Sequence, residues 1–382
     1  MSKRRKGGKN RAPRPEPGAP SGSSPSLSQT RAFRPGGGGR VPAAVAATGV
    51  VLILGLLGWW AGVLTGLWGR PPVQAPIGAA PITSQRPAER IDATGRLLIP
   101  FDAGLSLVTL PARAVTPIVQ AGTSSTLTSA SWSPDGRTAA YALYHIRSGD
   151  SAASSEIYLT DLVGEPRALV ERDRPGTTVE APVWAPDGQS IYFSYSGLEG
   201  QRLVQRVERV DVATRVRTVV GVGALPAVSP NGELVALVRG ERTGDVLLLT
   251  RPDGQIVREL IPAGRFSLLG AARFTPDGRT LAVPASGGNQ ATAPSPARPF
   301  GLLAPSVALA HGEPWDVFLV DVDGGEPRRF TRLIEDEISV AWSPDGSLLA
   351  LYGVRGLYLV DRQGTATFAM DRGGYGGIDW VP

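Results

Sequence analysis

Carboxylates recur along this chain at one kind of place. Asp135, Asp187, Asp277 and Asp345 each stand fourth in a pentad: Trp132-Ser133-Pro134-Asp135-Gly136, Trp184-Ala185-Pro186-Asp187-Gly188, Phe274-Thr275-Pro276-Asp277-Gly278 and Trp342-Ser343-Pro344-Asp345-Gly346. Acids repeated at a fixed motif position would suit metal binding or general acid–base work if they converged. Each lies between Pro and Gly, however. There Pro presets φ for the first turn position, Asp suits the second and Gly supplies positive φ, so turn formation is the expected role. Asp321, Asp323 and Glu326 have a superficial look of a calcium loop, but the rest of that pattern is missing and a strand-to-strand turn is expected there. The chain has two histidines, His145 and His311, and no cysteine, which excludes thiolate catalysis, thiolate metal sites and disulfides. It carries no His-Glu-x-x-His, no Gly-x-Ser-x-Gly and no phosphate-binding loop. No catalytic residue, cofactor or metal is therefore expected.

What must position these residues is a repeat. A third copy of the pentad, Val228-Ser229-Pro230-Asn231-Gly232, departs at its first and fourth positions, and the chain ends on Trp380-Val381-Pro382, a sixth copy cut short. First residues are spaced 52, 44, 46, 68 and 38 apart. After each complete pentad comes a β-type run: Thr138–Leu143, Ser190–Tyr195, Leu234–Val238, Thr280–Ala285 and Leu348–Tyr352. Several of these are almost wholly apolar, as strands covered on both faces are. A second run follows in every unit (Glu156–Asp161, Leu203–Asp211, Asp245–Thr250, Trp315–Asp321, Gly356–Asp361), then a polar turn and a fourth strand. Four strands in a unit of this length predict an all-β propeller.

The pentads and their spacing resemble the WD40-like repeat of TolB-like propellers and of the propellers in prolyl-oligopeptidase-like proteins, over roughly Thr94–Pro382. The resemblance implies a propeller fold and, through TolB, protein partners in the cell envelope. The prolyl-oligopeptidase likeness is to the propeller alone, with no hydrolase domain expected after Pro382. The truncated copy supplies one strand, and three short runs after Thr94 (Arg96–Ile99, Leu105–Leu110, Val115–Val119) have no blade of their own. Together they predict a shared blade that closes a six-bladed ring and removes its open edge.

Upstream of the repeat the composition changes. Residues 1–40 hold ten Lys/Arg and one acid, Glu16, with much Pro, Gly and Ser, and read as a disordered basic tail. Of 39 basic and 34 acidic residues, eleven basic and one acidic precede residue 71, which leaves 28 basic against 33 acidic beyond it. A basic surface for nucleic acid is not expected on the folded part. The tail reads as a topology signal, with a nucleic-acid arm as the rival account. Val41–Gly69 contains no charged residue and is long enough to span a bilayer as a transmembrane helix, with Trp59, Trp60 and Trp68 towards its far end. A buried core helix is the weaker alternative. A cleaved signal peptide is the better rival, but the run is long for one and Pro81 after Ala79-Ala80 is a poor cleavage context. The reading is an uncleaved signal anchor, tail in the cytoplasm and the C-terminal part outside, joined by a Pro-rich linker over 70–93.

Function is then expected at a surface. The connections between second and third strands open on the same face as the links between units. Two are long: His145–Ser155 and Gly287–Pro314, against Gly353–Arg355 in the fifth repeat. The longest contains Arg298, Phe300, Leu302, Leu303 and His311, a candidate partner-binding loop or, on the plainer account, a tolerated insertion. The expectation is a membrane-anchored extracytoplasmic scaffold that binds a protein or peptide. The alternatives are an envelope hydrolase or lyase with a site in the channel, and a ligand-sensing ectodomain. Trp132, Trp184, Trp342 and Trp380, with the pentad acids, are expected to be structural.

Overall fold

The computed structural model describes residues 86–101, 104–145, 153–172, 174–287, 314–333 and 335–382. The tail, the apolar stretch 41–69, most of the linker and the loop residues Arg298, Phe300, Leu302, Leu303 and His311 lie outside the described residues. Among the described residues no helix is long and apolar enough to cross a membrane.

Six antiparallel sheets form six blades. Blade 1 takes β25 (Asp379–Val381) as its inner strand, followed outward by β1 (Gly95–Phe101), β2 (Gly104–Leu110) and β3 (Ala114–Gln120). Blade 2 is β4 (Ser125–Trp132), β5 (Ala139–His145), β6 (Ser154–Thr160) and β7 (Arg167–Val170). Blade 3 is β8 (Thr178–Trp184), β9 (Ser190–Glu199), β10 (Arg202–Asp211) and β11 (Arg217–Val222). Blade 4 is β12 (Ala224–Val228), β13 (Val235–Glu241), β14 (Gly244–Thr250) and β15 (Ile256–Ile261). In blade 5 the inner strand is broken into β16 (Leu268–Leu269) and β17 (Arg273–Phe274), both paired to β18 (Thr280–Ser286), with β19 (Trp315–Asp321) and β20 (Arg328–Arg329) outside. Blade 6 is β21 (Ser339–Trp342), β22 (Leu348–Gly353), β23 (Gly356–Asp361) and β24 (Ala366–Met370).

The apolar runs that looked too continuous for a one-sided sheet are explained by six apolar clusters, one at each seam. Alternate residues of β1 face opposite neighbours: Leu97, Ile99 and Phe101 pack towards blade 6, while Leu98 packs with Leu127, Trp132 and Tyr141 of blade 2. The first residue of each pentad enters the seam with the preceding blade. Trp132, Trp184, Phe274 and Trp380 are buried there, and Val228 and Trp342 are partly buried.

The predicted closure is observed. Arg96, Leu97 and Leu98 pair with Val381, Trp380 and Asp379, so one strand from the C-terminal end and three from the start complete blade 1. The indole of Trp380 donates to the Thr94 carbonyl at 3.2 Å, and Arg96 donates to the carbonyls of Pro382 and Gly136, both at 3.2 Å. A further contact was not anticipated. Gly377 makes a parallel bridge with Ser129 on the inner strand of blade 2, its N–H donating to the Thr128 carbonyl at 2.9 Å. The glycines before β25 permit this approach: a Cβ on Gly376, where φ is +122°, would lie 2.6 Å from the Thr128 oxygen.

Residues ahead of β1 also join the ring. Ile91 and Ala93 are buried in the seam between blades 6 and 1. Ala88 N–H donates to the Phe368 carbonyl at 2.7 Å, and Arg113 donates to the carbonyls of Ala88, Glu89 and Ala369.

Candidate functional site

The pentads lie at one end of the ring. In four of the five the second residue donates its hydroxyl to the acid or amide two places on, at 2.6 Å for Ser133 to Asp135, Thr275 to Asp277 and Ser343 to Asp345, and at 2.7 Å for Ser229 to Asn231. The hydrogen bond from Ser343, with two from Ser347, holds the Asp345 carboxyl down to about 2, and Ser133 and Thr275 lower Asp135 and Asp277 in the same way. Ala185 has no hydroxyl to offer, so Asp187 accepts from the Gln189 N–H alone among these contacts, at 2.8 Å. The acids are brought to one face but do not converge on a common centre. Each caps its own turn. The turns also interlock, because the Pro of one pentad faces the Gly of the next: a Cβ on Gly232 or Gly346 would come 3.2 Å from Pro186 or Pro276. Each of these hydroxyl contacts stays within its own turn.

The opposite end carries the connections between second and third strands, and they are unequal. In blades 1, 4 and 6 they are 102–103, 242–243 and 354–355, whereas blade 2 has 146–153 and blade 5 has 287–314. In blade 3 the turn is short but β9 and β10 are ten residues each, so their hairpin extends past the rim and leaves Leu198 53% exposed. The connection of blade 2 is shorter than the sequence suggested, because the β5–β6 ladder continues through Tyr144–Ser155 and His145–Ser154. At its base His145 Nε2 is 3.1 Å from Glu156 Oε2, the Tyr158 hydroxyl donates to that same oxygen at 3.0 Å, and Arg172 Nε lies 3.7 Å from Oε1. This cluster satisfies itself and anchors the connection.

The inner strands line the ring's interior, and three of their side chains are charged. Aligned on the pentads, the residue just before the first position is Ser131, Val183, Ala227, Arg273, Ala341 or Asp379. Asp379 accepts the backbone N–H of Trp132 at 2.7 Å and of Trp380 at 2.9 Å. Burial pushes its carboxyl up, opposed first by the attraction of Arg273, and burial in turn pulls the Arg273 guanidinium down. These two residues belong to blades 1 and 5, with blade 6 between them, and stand at the same level of their inner strands, next to the pentad end.

Glu180 stands four residues before Trp184, three residues nearer the other mouth than Arg273 and Asp379 stand, which is roughly 10 Å of strand. It lies at an inner-strand bulge, where pairing with β9 skips from Glu180 to Val183 and Ala181 takes φ +50°. The displaced Ala181 N–H is satisfied by the Ser129 hydroxyl of blade 2 at 3.0 Å. The Glu180 carboxylate itself has no hydrogen-bond or ionic partner among the described residues. Its carboxyl is pushed up by burial, and its charge adds to burial in raising the Tyr144 phenol. At the corresponding position the other strands have Thr128, Ala224, Gly270, Ile338 and Gly376, so Glu180 is the one charge among these six positions.

The sequence reading missed Glu180, Arg273 and Asp379, although aligning residues upstream of each pentad would have exposed all three as charges in otherwise small or apolar columns. Chemically, the arrangement offers opposite charges at the level of Arg273 and Asp379, the Glu180 carboxylate nearer the other mouth, and an uneven rim. Among the described residues no group of three His, Asp or Glu is placed to hold a metal ion.

No family model matches the chain, and no curated protein matches it. Solved structures do share its fold. TolB from Acinetobacter baumannii superposes with a TM-score of 0.53 at 17% identity, covering 75% of this chain and 67% of that one. A chain of a nidogen/laminin complex superposes with a TM-score of 0.55 at 12% identity, covering 75% of this chain and 97% of that one. At such identities the likeness shows the fold alone, a six-bladed propeller.

Proposed function

We propose that this protein is a membrane-tethered propeller that binds a protein or peptide partner across the mouth bearing the connections between second and third strands. Residues 41–69 would hold it in the membrane as an uncleaved anchor, with the basic tail in the cytoplasm and the propeller outside. The observation that carries the binding reading is the asymmetry of the two ends. The pentad end is an interlocked set of short turns, whereas the other end combines two-residue connections with an eight-residue one, a 28-residue one and the projecting β9–β10 hairpin. Long connections on a rigid scaffold are where binding surfaces are built. The lining carries both signs of charge, and one similar solved chain comes from a structure of a protein complex. Fold alone does not assign the partner.

The test uses the full chain, extracted from envelopes in detergent with a photo-crosslinking residue in place of Leu198. A specific covalent adduct that is lost on Glu180→Gln and on combined Phe300→Ser and Leu302→Ser replacement, with unchanged melting, is the expected result. An adduct pattern equal to that of the same crosslinker at Val163, on the opposite end of blade 2, would overturn the reading.

A further inference from the structure

The backbone on both sides of Glu180 is pinned by serines of the adjoining blade 2. The Ser155 hydroxyl accepts the Val179 N–H at 2.6 Å and donates to the Val179 carbonyl at 2.7 Å, and the Ser129 hydroxyl accepts the Ala181 N–H at 3.0 Å. Three hydrogen bonds thus fix the frame of a carboxylate that accepts none itself among the described residues. An acid held open in so rigid a frame costs stability, and fixed, unsatisfied groups of this kind are what a binding site is built from.

Its neighbours are open in the same sense. Tyr144 stands directly opposite Ser155 in the β5–β6 ladder, so their side chains share a face, and the contact of Ser155 with Val179 shows that this face is turned towards β8. The Tyr144 phenol feels the Glu180 charge, but no hydrogen bond joins the two. Both residues are half-buried, so a ligand can reach them. One residue from the Ser129–Ala181 contact, the Thr128 hydroxyl is buried and has no hydrogen-bond partner. Blade 3 itself shows what completes such a pair. Arg206 lies over the Tyr195 ring at 4.2 Å, its Nε donates to Glu208 at 2.7 Å, and it also bonds Glu199. There one guanidinium joins a tyrosine ring to carboxylates. Glu180 and Tyr144 present the acid and the ring without the guanidinium.

We propose that Glu180 and Tyr144 form a site for a guanidinium group, the side chain of an arginine on the polypeptide partner; the inference rests on the binding reading above and specifies its chemistry. Both carboxylate oxygens are free for a bidentate pair, and a planar cation stacks on a phenol ring. A guanidinium is also more weakly hydrated than an ammonium, so it gives up less on entering a half-buried site. A neutral side chain in the same place leaves the carboxylate unpaired and is selected against.

The test reads the carboxylate directly, in the full chain in detergent. A water-soluble carbodiimide with an added amine converts reachable carboxylates to amides, and peptide mass spectrometry follows the rate at Glu180 and at Glu165, an exposed acid of blade 2, as control. N-acetyl-arginine amide should slow the reaction of Glu180 by about fivefold at the top of a millimolar titration and leave Glu165 unchanged. N-acetyl-citrulline amide, of the same shape without the charge, and tetramethylammonium at the same ionic strength should slow neither. Absence of slowing, or equal slowing by either control compound, would overturn the proposal, and full protection in a Tyr144→Leu protein would remove Tyr144 from the site. A second arm separates this inference from the binding reading. The arginine compound should compete away the specific photo-adduct formed from position 198, and Glu180→Gln should lower its yield. A specific adduct untouched by both would overturn the arginine assignment while the binding reading stands. Equal adduct patterns from positions 198 and 163 would overturn the binding reading and with it the assignment to a partner's arginine; protection of Glu180 would then show a site for a free guanidinium compound.

Discussion

Replacing Trp380 with Ala tests the closure of the ring. Trp380 is 5% exposed, packs in the seam between blades 6 and 1, and donates its indole N–H to Thr94. Truncating a buried Trp to Ala costs about 3–5 kcal/mol through lost burial and the cavity left behind. For a domain of this size that lowers the melting temperature by on the order of 10 °C. The informative comparison is Trp342→Ala, the same change at the same pentad position. Trp342 is only partly buried, although its indole also donates to a backbone carbonyl, that of Arg273. Its loss should cost about half as much. Removing residues 377–382 takes away Ile378 and Val381 as well, 0% and 9% exposed, together with the three β25–β1 pairs and the bridge to Ser129. That loss is roughly 6–11 kcal/mol, the whole stability of an ordinary domain. Thermal unfolding followed by tryptophan fluorescence or calorimetry on the full chain reads all three. A Trp380→Ala midpoint as high as that of Trp342→Ala, or a truncated protein that still melts cooperatively near the parent, would refute the argument that β25 holds the ring shut.

Glu180→Gln should stabilise the free protein at neutral pH. Burial raises the folded carboxyl above its ordinary value, so the folded state keeps its proton to higher pH than the unfolded chain, and wild-type stability falls as pH rises from the glutamate range through the raised value. Melting curves should coincide at about pH 4 and separate by about pH 8 with the Gln variant higher; a wild type that gains on the variant as pH rises would contradict the assignment. Deleting 288–313 should move the melting temperature by no more than about 2 °C, since loop length changes closure entropy only slowly. If that loop is a partner site, replacing Phe300, Leu302 and Leu303 by Ser should weaken partner capture without lowering the melting temperature, whereas a stability loss with unchanged capture would make it a structural plug. Protease added outside spheroplasts should release the propeller and spare the basic tail; full protection of the propeller would exclude the proposed topology.

The strand pattern was legible because it rests on local chemistry. Trp315–Asp321 and Gly356–Asp361 were bounded to the residue, and β1 to β3 were found as runs without a blade of their own. Pro-Asp-Gly writes its turn into the sequence, and a strand covered on both faces announces itself by unbroken apolar composition. The interior was not legible in the same way. Whether Glu180 faces a partner or a void depends on a bulge of β8, and Ala181 at φ +50° is not a residue that signals one. The run Gly373-Gly374-Tyr375-Gly376-Gly377 was visible but carried no meaning until the inner strand of blade 2 was seen to pass within hydrogen-bonding distance of it. The linker likewise read as a spacer by its prolines, while Ile91 and Ala93 sit in the core because the last blade and the first leave a seam for them.

Pairing Arg96 with Val381 also sets a timetable. A ribosome makes β1 to β3 first, and they then wait with the inner side of β1 bare while the intervening blades are synthesised. Each of those blades can form its own hairpins at once, but none can finish the first. Contacts so distant in sequence are slow to form, and an unpaired strand invites pairing with a neighbouring chain in the meantime. An interrupted chain would leave blade 1 without its inner strand and the ring open at that seam. Conditions that lengthen that interval, such as stalled synthesis or slow passage of the C-terminal residues, should therefore reduce the yield of folded protein far more than a comparable delay in the middle of the chain.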